Sequence, residues 1–219
     1  MINYIPLLKT VPLFFDIEAN DLSELLNCLS AKIKTFQTQE SIFSEGDSAE
    51  FVGIILSGEA QIVMDDYYGN RNIVASLTVG HLFGEAFACA DVSILPVSVI
   101  ATNETIIMQI NYKKIITTCS NCCTFHNKLI YNMLRIVANK NVMLNQKIDV
   151  ISKRTTREKI LSYLAIQAKQ AGQNSFSIPF NRQELADYLF VDRSALSNEL
   201  SKLSDKGVLH FHKNTFELL

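Results

Sequence analysis

Arg193, Ser194, Ser197 and Asn198 sit close together near the C-terminus, with Arg182, Gln183 and Lys202 flanking them. The chemistry such a set can do is recognition rather than bond-making. A guanidinium can pair with a guanine edge, a carboxamide can serve adenine or a phosphate oxygen, and serine hydroxyls can bond either. Arg182, Gln183 and Lys202 suit phosphate oxygens, contacts that orient a duplex without reading its sequence.

Presenting these side chains together requires a specific scaffold. Asn181, with Glu184 three positions later, has the pattern of a capped helix start. Leu185, Ala186 and Leu189 would form its buried stripe, and small Ala186 would let a second helix cross closely. Phe190-Val191 makes a tight connection, and Asp192 offers an N-cap for the stretch Arg193–Leu203. Leu196, Leu200 and Leu203 fall on one face and leave the polar set largely on the others. Two short helices joined in this way form a helix-turn-helix, whose second helix can enter a major groove. Val208–Phe211 and Thr215–Leu218 alternate around Lys213-Asn214 as two strands, the wing of a winged helix-turn-helix. The plainer alternative is an α+β packing unit with exposed polar residues.

Charge is divided along the chain. Residues 1–151 hold ten Lys/Arg and fifteen Asp/Glu, whereas residues 152–219 hold ten and seven. A mildly basic last third is compatible with a polyanionic partner and does not establish one. Ahead of it, Ser152–Thr156 reads as a polar, basic hinge. Arg157–Ala171 follows as a helix with Ile160, Leu161, Leu164, Ala165 and Ala168 on one face, stopped at Gly172.

From about Thr124 the apolar residues follow a helical period. Ile130, Leu134, Val137, Asn141, Leu144, Ile148 and Ile151 step alternately by four and three, a heptad seam with Asn141 at an a position. A seam of this kind needs a partner, and a buried Asn fixes register in a two-stranded parallel pair. The segment reads as a dimerisation helix; the alternative is a core helix within one chain. A second stripe, Phe125, Leu129, Met133, Ile136 and Met143, could pack on the preceding domain.

Lys32–Tyr112 carries short runs of β-branched and aromatic residues: Ile33–Gln37, Phe51–Leu56, Ala60–Met64, Ile73–Leu77, Val97–Ala101 and Thr105–Ile110. Turn signals around Gly46, Gly58, Gly69 and Gly80 separate them, which points to a barrel, sandwich or jelly roll. Leu22, Leu25, Leu26 and Leu29 mark a short amphipathic helix before this region.

Several classes are disfavoured. No run of eighteen apolar residues occurs and the N-terminus lacks a basic stretch before an apolar block, so no membrane association and a cytoplasmic location are expected. Four histidines split between the two halves do not make a cupin-type metal site, and no nucleophile–base set or phosphate-cradling glycine loop is visible, so no enzyme is expected. The five cysteines, Cys28, Cys89, Cys119, Cys122 and Cys123, do not form a disulfide framework. Cys119, Cys122 and Cys123, with His126 nearby, are read as packed thiols, with a redox, metal or haem sensor as the alternative; no metal is assigned.

Taken end to end, the chain resembles the cyclic-AMP receptor protein/FNR family of bacterial transcription regulators. The resemblance rests on Gly46, Gly58, Gly80 and Gly84, on Phe83-Gly84-Glu85, on the long helix, and on Arg182-Gln183-Glu184-Leu185-Ala186 with Val191-Asp192-Arg193-Ser194-Ala195-Leu196-Ser197. It implies an α+β architecture: a double-stranded β-helix (jelly-roll, cyclic-nucleotide-binding-like) effector-sensing domain over 1–123, a dimerisation helix over 124–151 and a winged helix-turn-helix over 152–219. It also implies a homodimer on a near-palindromic duplex DNA operator, controlled by an effector, with RNA polymerase as a further partner near Ala171–Phe176. A module for protein contacts is the less favoured reading.

Cyclic-nucleotide binders of this family follow the Gly-Glu pair with an Arg that neutralises the cyclic phosphate. Here Leu95 and Pro96 stand at the corresponding positions. A buried phosphate without a cation is costly to desolvate, so cyclic AMP is not expected as effector. A pocket formed by Gly84, Glu85, Val97, Ser98, Leu144 and Asn145 would suit a small apolar or aromatic effector of unknown identity. The alternatives are an empty pocket filled by apolar side chains and a constitutively active dimer, with Glu85 serving only as a cap or internal hydrogen-bond partner.

Overall fold

The computed structural model describes every residue except 1, 50, 66, 68–70, 91 and 118–123. Cys119, Cys122 and Cys123, and the turn at Tyr68-Gly69-Asn70, therefore lie outside the described residues. The chain divides into two compact units, residues 1–139 and 140–219, so the boundary falls inside the long helix rather than at either of its ends.

The first unit opens with helices α1 (Ile5–Leu8) and α2 (Ala19–Cys28). Strands β1 (Lys32–Phe36), β2 (Ser41–Phe43), β3 (Phe51–Ser57), β4 (Ala60–Asp65), β5 (Arg71–Leu77) and β6 (Leu82–Phe83) follow. Then come α3 (Glu85–Cys89), β7 (Ser98–Ala101), β8 (Thr105–Asn111) and α4 (Tyr112–Ile116). The strands form two four-stranded antiparallel sheets, in the orders β1-β8-β3-β6 and β2-β7-β4-β5.

The apolar run of β3 is continuous because both faces of this strand are covered. Val52, Ile54 and Leu56 join a core with Leu22, Leu25 and Leu26 of α2. Ile55, between them in sequence, joins Phe43, Phe83, Leu95 and Ile107 in a second core. The two-residue period of a strand makes this split unavoidable. Gly53 also lies in β3, opposite Phe83 in the ladder, and a Cβ there would collide with the Phe83 ring. The missing side chain at 53 is thus the space that Phe83 fills.

Helix α5 (Thr124–Ile151) runs for 28 residues. Its first half is fixed by Leu129 and Met133, both buried, and by two polar anchors. The Asn132 carboxamide donates to the carbonyls of Leu13 (3.1 Å) and Phe15 (2.8 Å). His126 donates from Nε2 to the Lys114 carbonyl at 2.7 Å. Both polar side chains are buried, and these bonds offset their desolvation.

The second unit begins within α5 and contains α6 (Thr156–Ala171), β9 (Ser175–Ser177), α7 (Arg182–Leu189), α8 (Arg193–Asp205), β10 (Leu209–His212) and β11 (Thr215–Leu218). Val150 at the end of α5 is buried in the same core as Ile160, Leu164, Leu185, Leu196 and Phe216. Capping boxes open two of these helices. Thr155 and Glu158 exchange bonds at the start of α6, and Asn181 and Glu184 do so at the start of α7. The Glu158 carboxyl is held below its ordinary pKa chiefly by the Thr155 backbone bond, then by the Thr155 hydroxyl.

The structure differs from the sequence pattern at four places. Met143 does not pack on the β domain: it belongs to the second unit and is 66% exposed. Part of the expected loop Ala171–Phe176 is strand β9, which pairs with β11 and buries Phe176. Phe176 is the lone apolar residue in a polar stretch, too short a signal to show a period. Asp192 holds the N-cap position of α8 without a side-chain bond to the helix. Leu29 lies one residue beyond α2, although it is buried with that helix.

Gly53→Ala should destabilise the first unit by about 1–3 kcal/mol, the usual range for overpacking; an unchanged urea midpoint would contradict the Phe83 contact. Asn181→Ala, which removes the acceptor for two helix N–H groups, should cost the second unit about 1 kcal/mol in thermal unfolding.

Candidate nucleic-acid interface

The helix-turn-helix is made of α7 and α8. Leu185, Ala186 and Leu189 of α7 and Leu196, Leu200 and Leu203 of α8 are buried in one core. Ala186 has no accessible surface, as expected where two helix backbones approach closely. The turn depends on Phe190, which caps α7 in the left-handed region with φ +53°. That conformation is uncommon for a bulky side chain. Lys159 of α6 supports it by donating from Nζ to the carbonyls of Leu189 (3.1 Å) and Phe190 (3.4 Å). Lys147 of α5 places its ammonium 4.8 Å from the Tyr188 ring centre and 5.7 Å from that of Phe190.

With the leucines turned inward, Arg193, Ser194, Asn198 and Lys202 are exposed along α8, and Ser197 is half-buried. Ser201 donates to the Ser197 carbonyl at 3.2 Å, and Lys202 has Glu199 3.5 Å away. Gln183 is exposed on α7, where its amide donates to Asp187 at 2.8 Å. Gln183, Arg193, Ser194, Asn198 and Lys202 thus keep exposed polar ends on the helix-turn-helix.

Arg182 is placed differently. It is half-buried, and its guanidinium lies 5.0 Å from the Phe211 ring centre and 5.7 Å from that of Phe216. It donates from Nη2 to the Lys213 carbonyl at 3.1 Å. Burial lowers its pKa from the ordinary value. Lys213 itself is exposed at the turn between β10 and β11, with φ +53°. Sequence reasoning assigned this lysine only to a turn; a cation at the tip of a two-strand wing was the signal for more.

Four of the residues expected to line an effector pocket lie in the first unit. Gly84 is left-handed (φ +80°) and caps α3, and Glu85 is the buried first residue of that helix. Val97 is buried, and Ser98 accepts from the Glu45 N–H at 2.9 Å. Leu144 and Asn145 belong to the second unit, where both are exposed; Asn145 donates to Asn141 at 2.8 Å. Leu95 is buried in the core that also holds Phe43 and Phe83. Phe43 stacks on Phe51 at 4.3 Å and meets Phe83 edge-on at 5.9 Å. A cavity of about 730 Å³ lies elsewhere in this unit, beside α3 and α4, with Phe87, Cys89 and Tyr112 in its wall. Burial raises the Cys89 thiol pKa, against a hydrogen bond with Tyr112 that lowers it. Among the described residues no cluster of His, Cys, Asp or Glu could hold a metal ion, and no helix is long and apolar enough to cross a membrane.

Known proteins share this arrangement. The family profile of the cyclic nucleotide-binding domain matches residues 33–122, and that of the Crp-like helix-turn-helix domain matches residues 158–219. The transcriptional activator protein FnrL of Cereibacter sphaeroides is 24% identical over 196 residues, covering 80% of this chain and 71% of FnrL. The fold is that of the Thermus thermophilus catabolite activator protein (TM-score 0.57, 20% identity, 95% of this chain and 93% of that one). It is equally that of the c-di-GMP responsive regulator CLP of Xanthomonas campestris (TM-score 0.56, 17% identity, 90% and 98%). With a profile match on each side of the long helix, together spanning well over half of the sequence, the chain belongs to the cyclic-AMP receptor protein/FNR family of transcription regulators.

Proposed function

We propose that the chain acts as a homodimer that reads a near-palindromic DNA duplex through the N-terminal part of α8, under an effector other than cyclic AMP. The observation that carries this reading is the division of α8: its leucines are sealed in the core while Arg193, Ser194 and Asn198 are exposed beside one another. In this reading Arg193, Ser194, Ser197 and Asn198 read bases, and Gln183 and Lys202 contact phosphates.

The dimer is supported by the face of α5 that neither core covers. Leu134, Leu144 and Ile148 are 66, 60 and 58% exposed, and Asn141 lies exposed among them. Ile130 and Ile151 are half-buried along the same seam, and Val137, at its edge, packs partly against the first core. Pairing two copies along this stripe would remove apolar area from water and set two recognition helices against half-sites about one helical turn apart.

Cyclic AMP does not fit the residues present. The position that would supply the phosphate's cation is Leu95, buried among aromatic side chains, and a phosphate there would be desolvated without a counter-charge. The effector acts by favouring one of two dimer arrangements, and for that it must bind them unequally.

The tests use a duplex selected by the native chain from a random library. Binding should weaken steeply with salt as Lys/Arg–phosphate contacts release counterions. Arg193→Ala should cost about 1–3 kcal/mol on the selected duplex; affinity unchanged within twofold would remove α8 as the reading element. Leu134→Asp should dissociate the dimer in analytical ultracentrifugation, and a native chain that sediments as a monomer would end the seam proposal. Titration calorimetry with cyclic AMP should show no binding, and a micromolar isotherm would overturn that part.

A further inference from the structure

Arg182 carries a charge at the edge of the helix-turn-helix, yet its guanidinium faces the wing. The group lies over the rings of Phe211 and Phe216, and its Nη2 is spent on the Lys213 carbonyl. The other side of the wing turn is pinned as well. Asn214 donates from Nδ2 to the Ile178 carbonyl at 3.1 Å, and the Ile178 N–H donates to the Asn214 carbonyl at 2.9 Å. Ser177 and Thr215 hydroxyls meet at 3.0 Å one step further along the strands. A short two-strand turn is thus held at two consecutive residues, with Lys213 at its tip exposed and left-handed.

We propose that Arg182 is a positioning residue that fixes the wing tip so that Lys213 contacts a DNA phosphate, and is not itself a phosphate ligand. Turning Arg182 outward would forfeit two ring contacts and leave the Lys213 carbonyl without this donor. A lysine cannot replace it, because an ammonium lacks the planar fork that stacks and donates at once. Lys213, by contrast, needs only charge and reach, for which an ammonium is well suited. This inference rests on the DNA-binding reading above, and the experiment separates the two.

Binding to the selected duplex is measured for R182K, R182Q, K213Q, F211L and the R182Q/K213Q pair, with amide exchange followed across Leu209–Leu218. R182K and R182Q should both weaken binding by about tenfold and both speed exchange in the wing, because the planar contact is lost in each. F211L keeps the Arg182 charge and should still weaken binding. R182Q/K213Q should bind no more weakly than R182Q alone, since both changes remove the same phosphate contact. Additive losses in the pair, R182K within twofold of the native chain, or tighter binding by F211L would overturn the proposal and make Arg182 a direct phosphate ligand. Unchanged wing exchange in R182Q would overturn the clamp whether or not a duplex is selected. A native chain that selects no duplex removes the DNA reading and the Lys213 contact with it, and faster wing exchange in R182Q would then leave only the clamp.

Discussion

Helix α5 carries more apolar surface than one chain can cover. Leu129 and Met133 are taken up by the core of the first unit, and Val150 by the core of the second. Leu134, Leu144 and Ile148 are left in water on the face between. Fully burying one such side chain is worth roughly 1.5–3 kcal/mol, so a paired seam has several kcal/mol available per chain before ordering costs. In the proposed pairing, Asn141 interrupts the apolar stripe at one position and would make one register better than its neighbours.

The two polar anchors on the first half of α5 matter for the same reason. Asn132 and His126 bond backbone carbonyls of the segments that the helix crosses. An apolar contact alone would tolerate rotation of the helix about its axis; directional bonds to fixed carbonyls do not. With those bonds made, the stripe holding Leu134 is fixed relative to the first unit's own core.

Much of the fold was legible because strong periods dominate it. The six longer strands of the first unit, the long helix and the α7–α8 pair all announce themselves by spacing. What escaped was short or depended on distant partners. Strands β2 and β6 have three and two residues, below the length at which alternation shows. Strand β9 exists because β11 lies beside it, not because Ser175–Ser177 favours extension. The site divides in the same way. The exposed residues of α8 were readable from the leucines that alternate with them. The engagement of Arg182 with Phe211, Phe216 and Lys213 was not, since nothing in a sequence fixes which way a long side chain turns. The packing of Phe43 on Phe51 and Phe83, in the sheet interior that also buries Leu95, was equally hidden, an outcome that no single position reveals.

Phe190 has a consequence of its own. A glycine would adopt its left-handed backbone at no steric cost, so an aromatic residue there spends free energy on the order of 1 kcal/mol merely to be in place. What glycine could not provide is the ring, and Lys147 near the end of α5 lies over it. The corner between α7 and α8 is thereby tethered to α5, two helices earlier in the chain. The same ammonium lies over Tyr188, so a displacement at Lys147 would be felt by both rings that flank Leu189.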